Sequence, residues 1–268
     1  MNTNTEYPNI SLIISTYNWE DALYLCLESV AKQTLIPNEI IIADDGSGAN
    51  TKIIIDDFRR RNSLNIIHVW HKDKGFRLAK IRNRAILKSK SDYIIQIDGD
   101  LILNKHFVSD HLLFAKKNHF VRGSRVRLGQ QLSEKLLITK SINFSFFDKD
   151  IKSRLNGFRN YFLAKIFAKS SLNPHKMLGC NMAYWRADAL AINGYENLLV
   201  GWGHEDEEFA ARLVNNNIAK IRLKYHAFVN HLYHIERQRN NEKEHYDMIH
   251  DVLSGNKKTA INGINELD

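Results

Sequence analysis

The sequence predicts an α/β fold with a mostly parallel central sheet flanked by helices. The first hundred residues alternate short isoleucine-rich runs with segments of helical periodicity, in units of roughly 20–30 residues, which is typical of right-handed β-α-β crossovers. Acidic residues and glycines follow the apolar runs, as expected at the carboxyl ends of parallel strands. With 268 residues, of which 44% are hydrophobic, the chain has ample apolar surface for a core.

Hydrophobic periodicity assigns the individual elements. Strands are predicted at residues 10–16, 39–43, 66–70 and 92–97, with helices near 23–30, 53–58 and 78–87. Beyond residue 100, the pattern predicts helices at 104–117, 155–167, 187–192, 209–214 and 236–253, and strands at 120–128, 177–185 and 227–234.

Composition argues against a membrane-spanning or secreted protein. No stretch approaches the roughly 18 uninterrupted apolar residues of a spanning helix, and residues 1–9 lack the basic and apolar regions of a signal peptide. Two cysteines, Cys26 and Cys180, provide neither a disulfide framework nor paired metal-ligand spacing. We therefore expect a cytoplasmic protein.

The net charge of +8 predicts an acidic partner, which could be nucleic acid, an anionic membrane surface or a phosphate-bearing substrate. This charge is uneven, because residues 151–187 contain seven Lys or Arg and no Asp or Glu. The basic amphipathic helix predicted at 155–167 lies within that segment. It is either packed on the sheet with a solvated cationic face, or in contact with an anionic membrane or a lipid-linked acceptor.

Acidic side chains follow the predicted central strand and one of its neighbours. Asp98 and Asp100 flank Gly99 after the strand at 92–97, and Asp44-Asp45 follows the strand at 39–43. Carboxylates repel phosphates unless a divalent cation bridges them, so this pattern predicts Mg²⁺ or Mn²⁺ together with a diphosphate. The first turn has no G-x-G-x-x-G or P-loop motif, which argues against dinucleotide dehydrogenases and P-loop enzymes.

A glycine-flanked tryptophan, Trp202, precedes a run of four acids at residues 205–208. The dipole of a helix favours acids in its first turn, and this effect alone would explain one or two of them. Four acids directly after a Gly-Trp-Gly-His loop favour a functional role.

Five ordered motifs together resemble the family 2 glycosyltransferases of the GT-A fold. They are Ser15-Thr16-Tyr17-Asn18, Ala43-Asp44-Asp45-Gly46-Ser47, Gly75-Phe76-Arg77 with Ala79 to Asn83, Asp98-Gly99-Asp100 and Gly201-Trp202-Gly203-His204-Glu205-Asp206. The C-terminal half is similar to β-1,4-galactosyltransferases and bacterial chondroitin polymerases. The resemblance implies a Rossmann-like GT-A domain in which residues 1–130 bind the nucleotide-sugar and residues 131–268 form the acceptor-binding and catalytic half.

The resemblance also implies roles for individual residues. In this family, positions matching Thr16, Tyr17, Asp44 and Asp45 hold the uridine, Arg77 lies near the donor phosphates, and Trp202 closes over donor and acceptor. Asp206 matches the catalytic base, with Glu205 beside it. Asp100 matches a metal ligand, and Asp98 matches a ligand to the ribose or the metal.

A metal-ligating histidine is expected on the last strand, where His231 and His234 both occur. Residues three apart on an alternating strand point to opposite faces, so only one of the two should face the metal. We favour His234, which lies nearer the end of the strand and precedes a polar segment at 236–239 that could fold over the donor. His231 is the reserve candidate.

These residues imply an inverting, metal-dependent transfer of a hexose or N-acetylhexosamine from a UDP-sugar to a glycan or lipid-linked glycan. By analogy with the family, we expect a role in bacterial surface polysaccharide synthesis, in the cytoplasm or peripherally at the inner face of the cell membrane.

Two alternative functions are weighed against this one. A sugar-phosphate nucleotidyltransferase would need a first turn rich in glycine and lysine, which residues 15–19 lack. A basic nucleic-acid-binding protein would leave the acid clusters unexplained, because acids at the sheet edge repel a phosphate backbone. We therefore expect no nucleic-acid partner.

Overall fold

A computed structural model describes residues 7–201, 203–235 and 242–267. Its strands are β1 Ile10–Thr16, β2 Glu39–Asp44, β3 Ile66–Trp70, β4 Tyr93–Asp98, β5 Leu101–Leu103, β6 His119–Arg122, β7 Ser124–Leu128, β8 Ile151–Lys152, β9 Lys169–Ser171, β10 Asn181–Trp185, β11 Ala219–Arg222 and β12 Phe228–His231. Its α-helices are α1 Glu20–Ala31, α2 Ala49–Arg61, α3 Leu78–Lys88, α4 Phe107–Leu113, α5 Gln130–Thr139, α6 Tyr161–Phe167, α7 Arg186–Ala191, α8 Glu205–Asn215 and α9 Glu242–Ser254, with a 3₁₀ helix at Arg154–Gly157.

The larger sheet confirms the predicted α/β fold. Among the described residues it contains eight strands in the order β3-β2-β1-β4-β10-β6-β11-β9. The pairs β3-β2, β2-β1, β1-β4 and β6-β11 are parallel, whereas β10 runs antiparallel to β4 and β6, and β9 antiparallel to β11. The four strands that come first in the chain therefore form the parallel part, with their carboxyl ends at one edge.

Alternation along the strands divides the core into two layers. One face of the sheet carries Leu12, Ile14 and Ile95 against α1, α2 and α4, and the other carries Ile13 and Ile94 against α3, α7 and α8. These isoleucines and leucines are fully buried, so the strands are apolar on both faces, as expected for a parallel sheet with helices on each side. No helix in the described part of the chain is long and apolar enough to cross a bilayer.

A smaller sheet lies beside the first, in the order β5-β12-β7-β8 for the residues that the structure covers. The single strand predicted at 120–128 is wrong, because Gly123 divides it into β6 of the large sheet and β7 of the small one. A Cβ at Gly123 would lie 2.4 Å from the side chain of Asn181. Only glycine lets the chain pass Asn181 while it changes sheets.

Several other boundaries differ from the predictions. Helix α5 and strand β11 were not predicted, the helix predicted at 104–117 shortens to α4, and the strand predicted at 177–185 begins only at Asn181. In α5 only Leu132, Ser133 and Leu136 are buried, and β11 is four residues long with two lysine or arginine positions. Such short or mostly polar elements give weak periodicity.

The helix predicted at 155–167 is not continuous. A 3₁₀ turn at Arg154–Gly157 and an extended link precede α6, which buries only Ala164. The apolar side chains of Phe162 and Ile166 are 75% and 66% exposed. Helix α6 therefore packs on the sheet through Ala164, whereas most of the apolar stripe predicted for this segment is exposed.

A buried ion pair fixes the start of helix α8 to the loop before it. Arg212 donates to both carboxylate oxygens of Glu208, at 2.7 and 2.6 Å, and to the carbonyl oxygens of Ile192 and Gly194. Both side chains are almost completely buried. Glu208 therefore has a structural role, unlike other acids of the run at 205–208.

We expect Arg212→Met to lower the free energy of unfolding by about 3–5 kcal/mol, because it leaves the Glu208 carboxylate buried without a cation. Urea denaturation would measure this change. Arg60→Met, which removes an exposed ion pair with Asp57, is the control and should stay within about 0.5 kcal/mol of the wild type. A loss below about 1 kcal/mol for Arg212→Met would contradict the structural role of the pair.

Candidate active site

A cleft of about 800 Å³ opens at the carboxyl ends of β1 and β4. Its lining combines residues from the large sheet with residues from the small sheet and the chain after β12. They are Ser15, Thr16, Tyr17, Asn18, Trp19, Asp45, Phe76, Leu78, Asp98, Gly99, Asp100, Arg125, Arg127, Leu128, Lys152, His231, Leu232, Tyr233, His234 and Ile235. Ligands of open α/β sheets bind at this edge, and the cleft brings together residues far apart in the sequence.

A tight turn after β4 sets the position of Asp100. The Gly99 N–H donates to the Ser15 carbonyl oxygen at 2.7 Å, and a Cβ on Gly99 would lie 3.1 Å from that oxygen. The backbone of the turn is thus pressed against the end of β1. Asp100 follows directly, and its carbonyl oxygen accepts from the Leu232 N–H at 3.0 Å, which brings the chain after β12 to the same place.

Asp100, His231 and His234 form a cluster that could hold a metal ion. The Nε2 atoms of His231 and His234 lie 3.4 and 3.3 Å from Asp100 Oδ2. The expectation that only one histidine faces this carboxylate is wrong, because β12 ends at His231 and strand alternation no longer applies at His234. One ligand atom from each of the three residues lies within 4.8 Å of the others.

The chemistry of this cluster fits a divalent cation. Atoms that share one ion at about 2.1 Å lie roughly 3.0–3.5 Å apart, and each histidine Nε2 lies within this range of Asp100 Oδ2. The other carboxylate oxygen of Asp100, Oδ1, is buried and has no hydrogen-bond partner among the described residues. The two imidazole nitrogens disfavour Mg²⁺, which prefers an all-oxygen shell, and suit Mn²⁺ or another transition metal.

The protonation of the cluster matches ligand chemistry. Burial raises the pKa of Asp100, but the neighbouring His231 and His234 outweigh it and hold this pKa below its ordinary value. Burial lowers the pKa of His231, so its imidazole is neutral near pH 7. The hydrogen bond to Asp100 raises the pKa of His234, so a proton competes with a metal for that ring.

A second cluster surrounds the guanidinium of Arg82, which is completely buried. From α3, Arg82 Nη2 donates to Asp98 Oδ1 at 3.1 Å, and its Nη1 donates to Glu205 Oε1 at 3.1 Å and to Asp206 Oδ1 at 2.9 Å. Its Nε lies 3.3 Å from the hydroxyl of Ser15. One cation thus joins the end of β4 to the start of α8.

Three carboxylates around a single cation raise the proton affinity of the site. Burial, followed by the negative charge of Glu205, raises the pKa of Asp206 to about 8, although Arg82 opposes the shift. Burial also raises the pKa of Asp98 to about 6, again against Arg82. Asp206 is therefore a carboxyl group that exchanges its proton near neutral pH, as a general base requires.

The four acids at 205–208 contact different partners. Glu205 and Asp206 face Arg82, Glu208 pairs with Arg212, and Glu207 Oε1 accepts from the backbone N–H of Lys176 at 2.6 Å. Only the first two belong to the cluster next to the cleft. Gly179 packs against Asp206 so closely that a Cβ there would lie 1.8 Å from Asp206 Oδ2.

The predicted donor-binding residues are divided between the cleft and its supporting wall. Thr16, Tyr17 and Asp45 line the cleft, whereas Asp44 is fully buried behind it and bonded to His68 at 2.9 Å. Asp45 accepts from His71 Nε2 at 2.7 Å and from the backbone N–H of residue 77 at 2.9 Å.

Two further predictions concern Arg77 and the residues expected to cover the donor. The guanidinium of Arg77 donates to the carbonyl oxygen of Lys72. Trp202 and the segment at 236–239 lie outside the described residues. The roles of all these residues in donor binding stay predictions.

Sequence reasoning missed Arg82 and the cations Arg125, Arg127 and Lys152. A signal for Arg82 was present, because it shares a helical stripe with Ala79 and Ile86, where a charged residue needs a buried partner. The other three come from β7 and β8, next to His231 in the register of the small sheet. They give the cleft a positive wall beside the candidate metal ligands.

Comparison with protein families accounts for this arrangement. The family model described as "Glycosyl transferase family 2" matches residues 11–175. The chain belongs to glycosyltransferase family 2. A second model, described as "N-terminal domain of galactosyltransferase", matches residues 166–238 of this family 2 chain.

Relatives of this family 2 chain include two bacterial glycan enzymes. The chain is 27% identical over 224 residues to chondroitin synthase of Escherichia coli. This match covers 76% of this chain but 32% of the synthase. It is 28% identical over 111 residues to the poly(ribitol-phosphate) β-N-acetylglucosaminyltransferase TarS of Staphylococcus aureus. That match covers 41% of this chain and 19% of TarS. The chain therefore spans less than a third of each of these relatives.

Solved structures share the fold. TarS 1–349 of S. aureus superposes with a TM-score of 0.62 at 17% identity, over 92% of this chain and 65% of that one. The mannosyltransferase PcManGT of Pyrobaculum calidifontis, in complex with GDP-Man and Mn²⁺, gives a TM-score of 0.60 at 15% identity, over 88% and 59% of the two chains. These similarities show the GT-A fold.

We expect His234→Ala to weaken Mn²⁺ binding by at least about tenfold, because it removes one of the clustered ligands. In the wild type, Mn²⁺ affinity should fall as the pH is lowered. The raised pKa of His234 means that a proton occupies its imidazole at a higher pH than in ordinary histidine. Calorimetric titration at several pH values would measure both effects.

His119→Ala serves as the control, because His119 bonds to the Lys117 carbonyl oxygen outside the cleft. Equal Mn²⁺ affinity in the wild type and His234→Ala would contradict the assignment of the cluster, as would an affinity that does not change with pH.

Proposed function

We propose that this chain transfers a hexose or N-acetylhexosamine from a UDP-sugar to a hydroxyl of a glycan or lipid-linked glycan, in a metal-dependent reaction that inverts the anomeric carbon. The observation that carries the proposal is the buried bridge from Asp98 through Arg82 to Asp206. It holds a candidate base beside the cleft that contains the Asp100, His231 and His234 cluster.

The charge of the cleft suits a nucleoside diphosphate leaving group. A divalent cation held by Asp100, His231 and His234 would neutralise the negative charge that develops on the diphosphate. Arg125, Arg127 and Lys152 add positive charge to the same wall. The solved structures of PcManGT with GDP-Man and Mn²⁺, and of TarS with UDP, support a nucleotide donor and favour Mn²⁺ as the ion.

Asp206 is suited to remove the proton of the acceptor hydroxyl. As the acceptor oxygen forms a bond to the anomeric carbon, the bond from that carbon to the phosphate oxygen breaks, and its electron pair leaves with UDP. The proton moves to Asp206, whose raised pKa makes it an effective base near neutral pH. With one base and no covalent intermediate, attack from the opposite face inverts the anomeric carbon.

The names of the relatives suggest which kind of biosynthesis uses such a reaction. Chondroitin synthase is named for the synthesis of chondroitin, and TarS for the transfer of N-acetylglucosamine to poly(ribitol-phosphate), which supports a role in surface polysaccharide synthesis. The acids of the cleft disfavour a nucleic-acid-binding protein. Asp45, Asp98 and Asp100 would repel the phosphate backbone of a nucleic acid. A panel of UDP-sugars tested for Mn²⁺-dependent hydrolysis would identify the donor.

We expect Asp206→Asn to reduce the rate of sugar transfer by about 10²- to 10⁴-fold, because asparagine keeps the size of the side chain but cannot take up the proton. In the wild type, the rate should rise with pH as Asp206, with its raised pKa, loses its proton. This rise should disappear in Asp206→Asn. Transfer to a glycan acceptor, measured over a range of pH, would test both expectations.

Glu205→Gln is the matched control, because Glu205 contacts the same nitrogen of Arg82. Its rate should fall far less than that of Asp206→Asn, and both variants should bind UDP and Mn²⁺ nearly as tightly as the wild type. A collapse of the rate in Glu205→Gln alone would move the base to Glu205, and no loss in either variant would refute a carboxylate base at this position.

A further inference from the structure

A surface of exposed aromatic and aliphatic side chains lies between α5 and β9. We define the basic apolar surface by Phe146, Phe147, Leu155, Phe158, Phe162 and Ile166. Four of these side chains are between 66% and 80% exposed: Phe147, Leu155, Phe162 and Ile166. Apolar side chains with this much contact to water are normal singly, but a group of them marks an interaction surface.

Contacts between rings link several parts of this surface. Phe147 packs edge-on against Phe146, which lies beside Gly157 in the 3₁₀ turn. Phe158 directly follows that turn and contacts the ring of Tyr225. Phe167, at the end of α6, contacts the same Tyr225 ring. The apolar groups before β8 therefore meet the 3₁₀ turn, and Tyr225 joins the residue after that turn to the end of α6.

The basic apolar surface is fixed to the rest of the molecule. Arg159 donates three hydrogen bonds to the carboxylate of Asp110, which is completely buried on α4. The N–H of Asn160 donates to the Tyr225 carbonyl oxygen at 2.9 Å, and the Asn160 side chain caps α6 by accepting from the Leu163 N–H at 3.0 Å. The exposed rings are thus held on an ordered backbone.

The charge of this segment identifies what the surface would contact. Residues 151–187 contain no Asp or Glu, and Lys165 and Lys169 are exposed on and directly after α6. Beside Phe147, the exposed Lys149 lies between the half-buried Asp148 and Asp150, and Asp150 accepts from the Leu132 N–H. Two copies of such a surface would repel each other through their cations. Apolar rings surrounded by lysine and arginine suit the interface of an anionic bilayer, where the rings enter the headgroup region and the cations meet lipid phosphates.

We propose that the basic apolar surface docks this protein onto an anionic lipid bilayer. The cleft would then open beside the lipid headgroups, because Lys152 of β8 belongs to the same segment and lines the cleft. A lipid-linked acceptor could reach the candidate base from a bilayer in this position. The docking itself does not depend on the proposed transfer reaction, since it involves neither Asp100 nor Asp206.

Sedimentation with lipid vesicles tests this proposal in the absence of any donor or acceptor. The wild-type protein should sediment with vesicles of phosphatidylcholine and phosphatidylglycerol, less so as the salt concentration rises, and not with vesicles of phosphatidylcholine alone. The double variant Lys165→Gln/Lys169→Gln should bind more weakly by about fivefold for each lysine. Phe162→Ser/Ile166→Ser should weaken binding by about tenfold or more.

Matched controls come from outside the surface. Lys88 and Lys90 are exposed lysines at the end of α3, and Ile53 and Ile261 are 61% and 71% exposed. Lys88→Gln/Lys90→Gln and Ile53→Ser/Ile261→Ser should bind vesicles as the wild type does. Circular dichroism would establish that all four double variants are folded, which the high exposure of the substituted side chains favours.

Three outcomes would overturn the proposal. The first is no sedimentation of the wild type with anionic vesicles, and the second is an equal loss of binding in the control and surface variants. The third is a wild-type dimer in analytical ultracentrifugation that Phe162→Ser/Ile166→Ser abolishes, without vesicle binding. That result would assign the surface to a second copy of the chain.

Discussion

The buried guanidinium of Arg82 is the interaction on which the geometry of the cleft depends. It contacts Ser15 near the end of β1, Asp98 at the end of β4, and Glu205 and Asp206 at the start of α8. Without this cation, three carboxylates would lie close together in a buried place and repel one another. Arg82 lies between the acids proposed for metal binding and the acid proposed as the base, and its charge lets them lie side by side.

Close backbone packing holds the two acid groups in position around Arg82. Gly99 is pressed against the end of β1 and directs Asp100 toward His231, and Gly179 leaves room for the carboxylate of Asp206. A Cβ at position 179 would overlap the Asp206 carboxylate, and a Cβ at position 99 would be tightly packed against the Ser15 carbonyl oxygen. The site is therefore assembled from the ends of rigid strands and one helix, with little freedom to adjust.

The sequence predicted the part of the structure that depends on local pattern. The isoleucine-rich strands, the helices between them and the acids at their carboxyl ends were readable because parallel sheets bury both faces and place polar groups at one edge. The five ordered motifs identified the family and include Asp98, Asp100 and Asp206, and the two candidate histidines were named from the last predicted strand. The structure brings these residues to the cleft or its immediate wall.

The features that the sequence did not predict depend on contacts between distant segments. The partners of Arg82 are 16 to 124 residues away along the chain, so helical spacing indicated its buried face but not its carboxylates. Strand alternation failed at His234 because it holds only while the strand continues, and β12 ends three residues earlier. The exposure of α6 is equally invisible to periodicity, since an amphipathic pattern is the same whether its apolar face meets a core or a bilayer.

The pH dependence of stability in Arg82→Met tests most directly whether this guanidinium balances the carboxylates. Without the cation, the pKa values of Asp98 and Asp206 in the folded protein should lie further above their unfolded values, so the folded variant binds more protons than the unfolded chain. Urea denaturation should therefore show a deficit in the free energy of unfolding of about 3–5 kcal/mol near pH 8. This deficit should shrink as the pH is lowered toward 5 and the carboxylates take up protons. A deficit of the same size at both pH values would mean that Arg82 only fills space, and would contradict its role in the balance of charge.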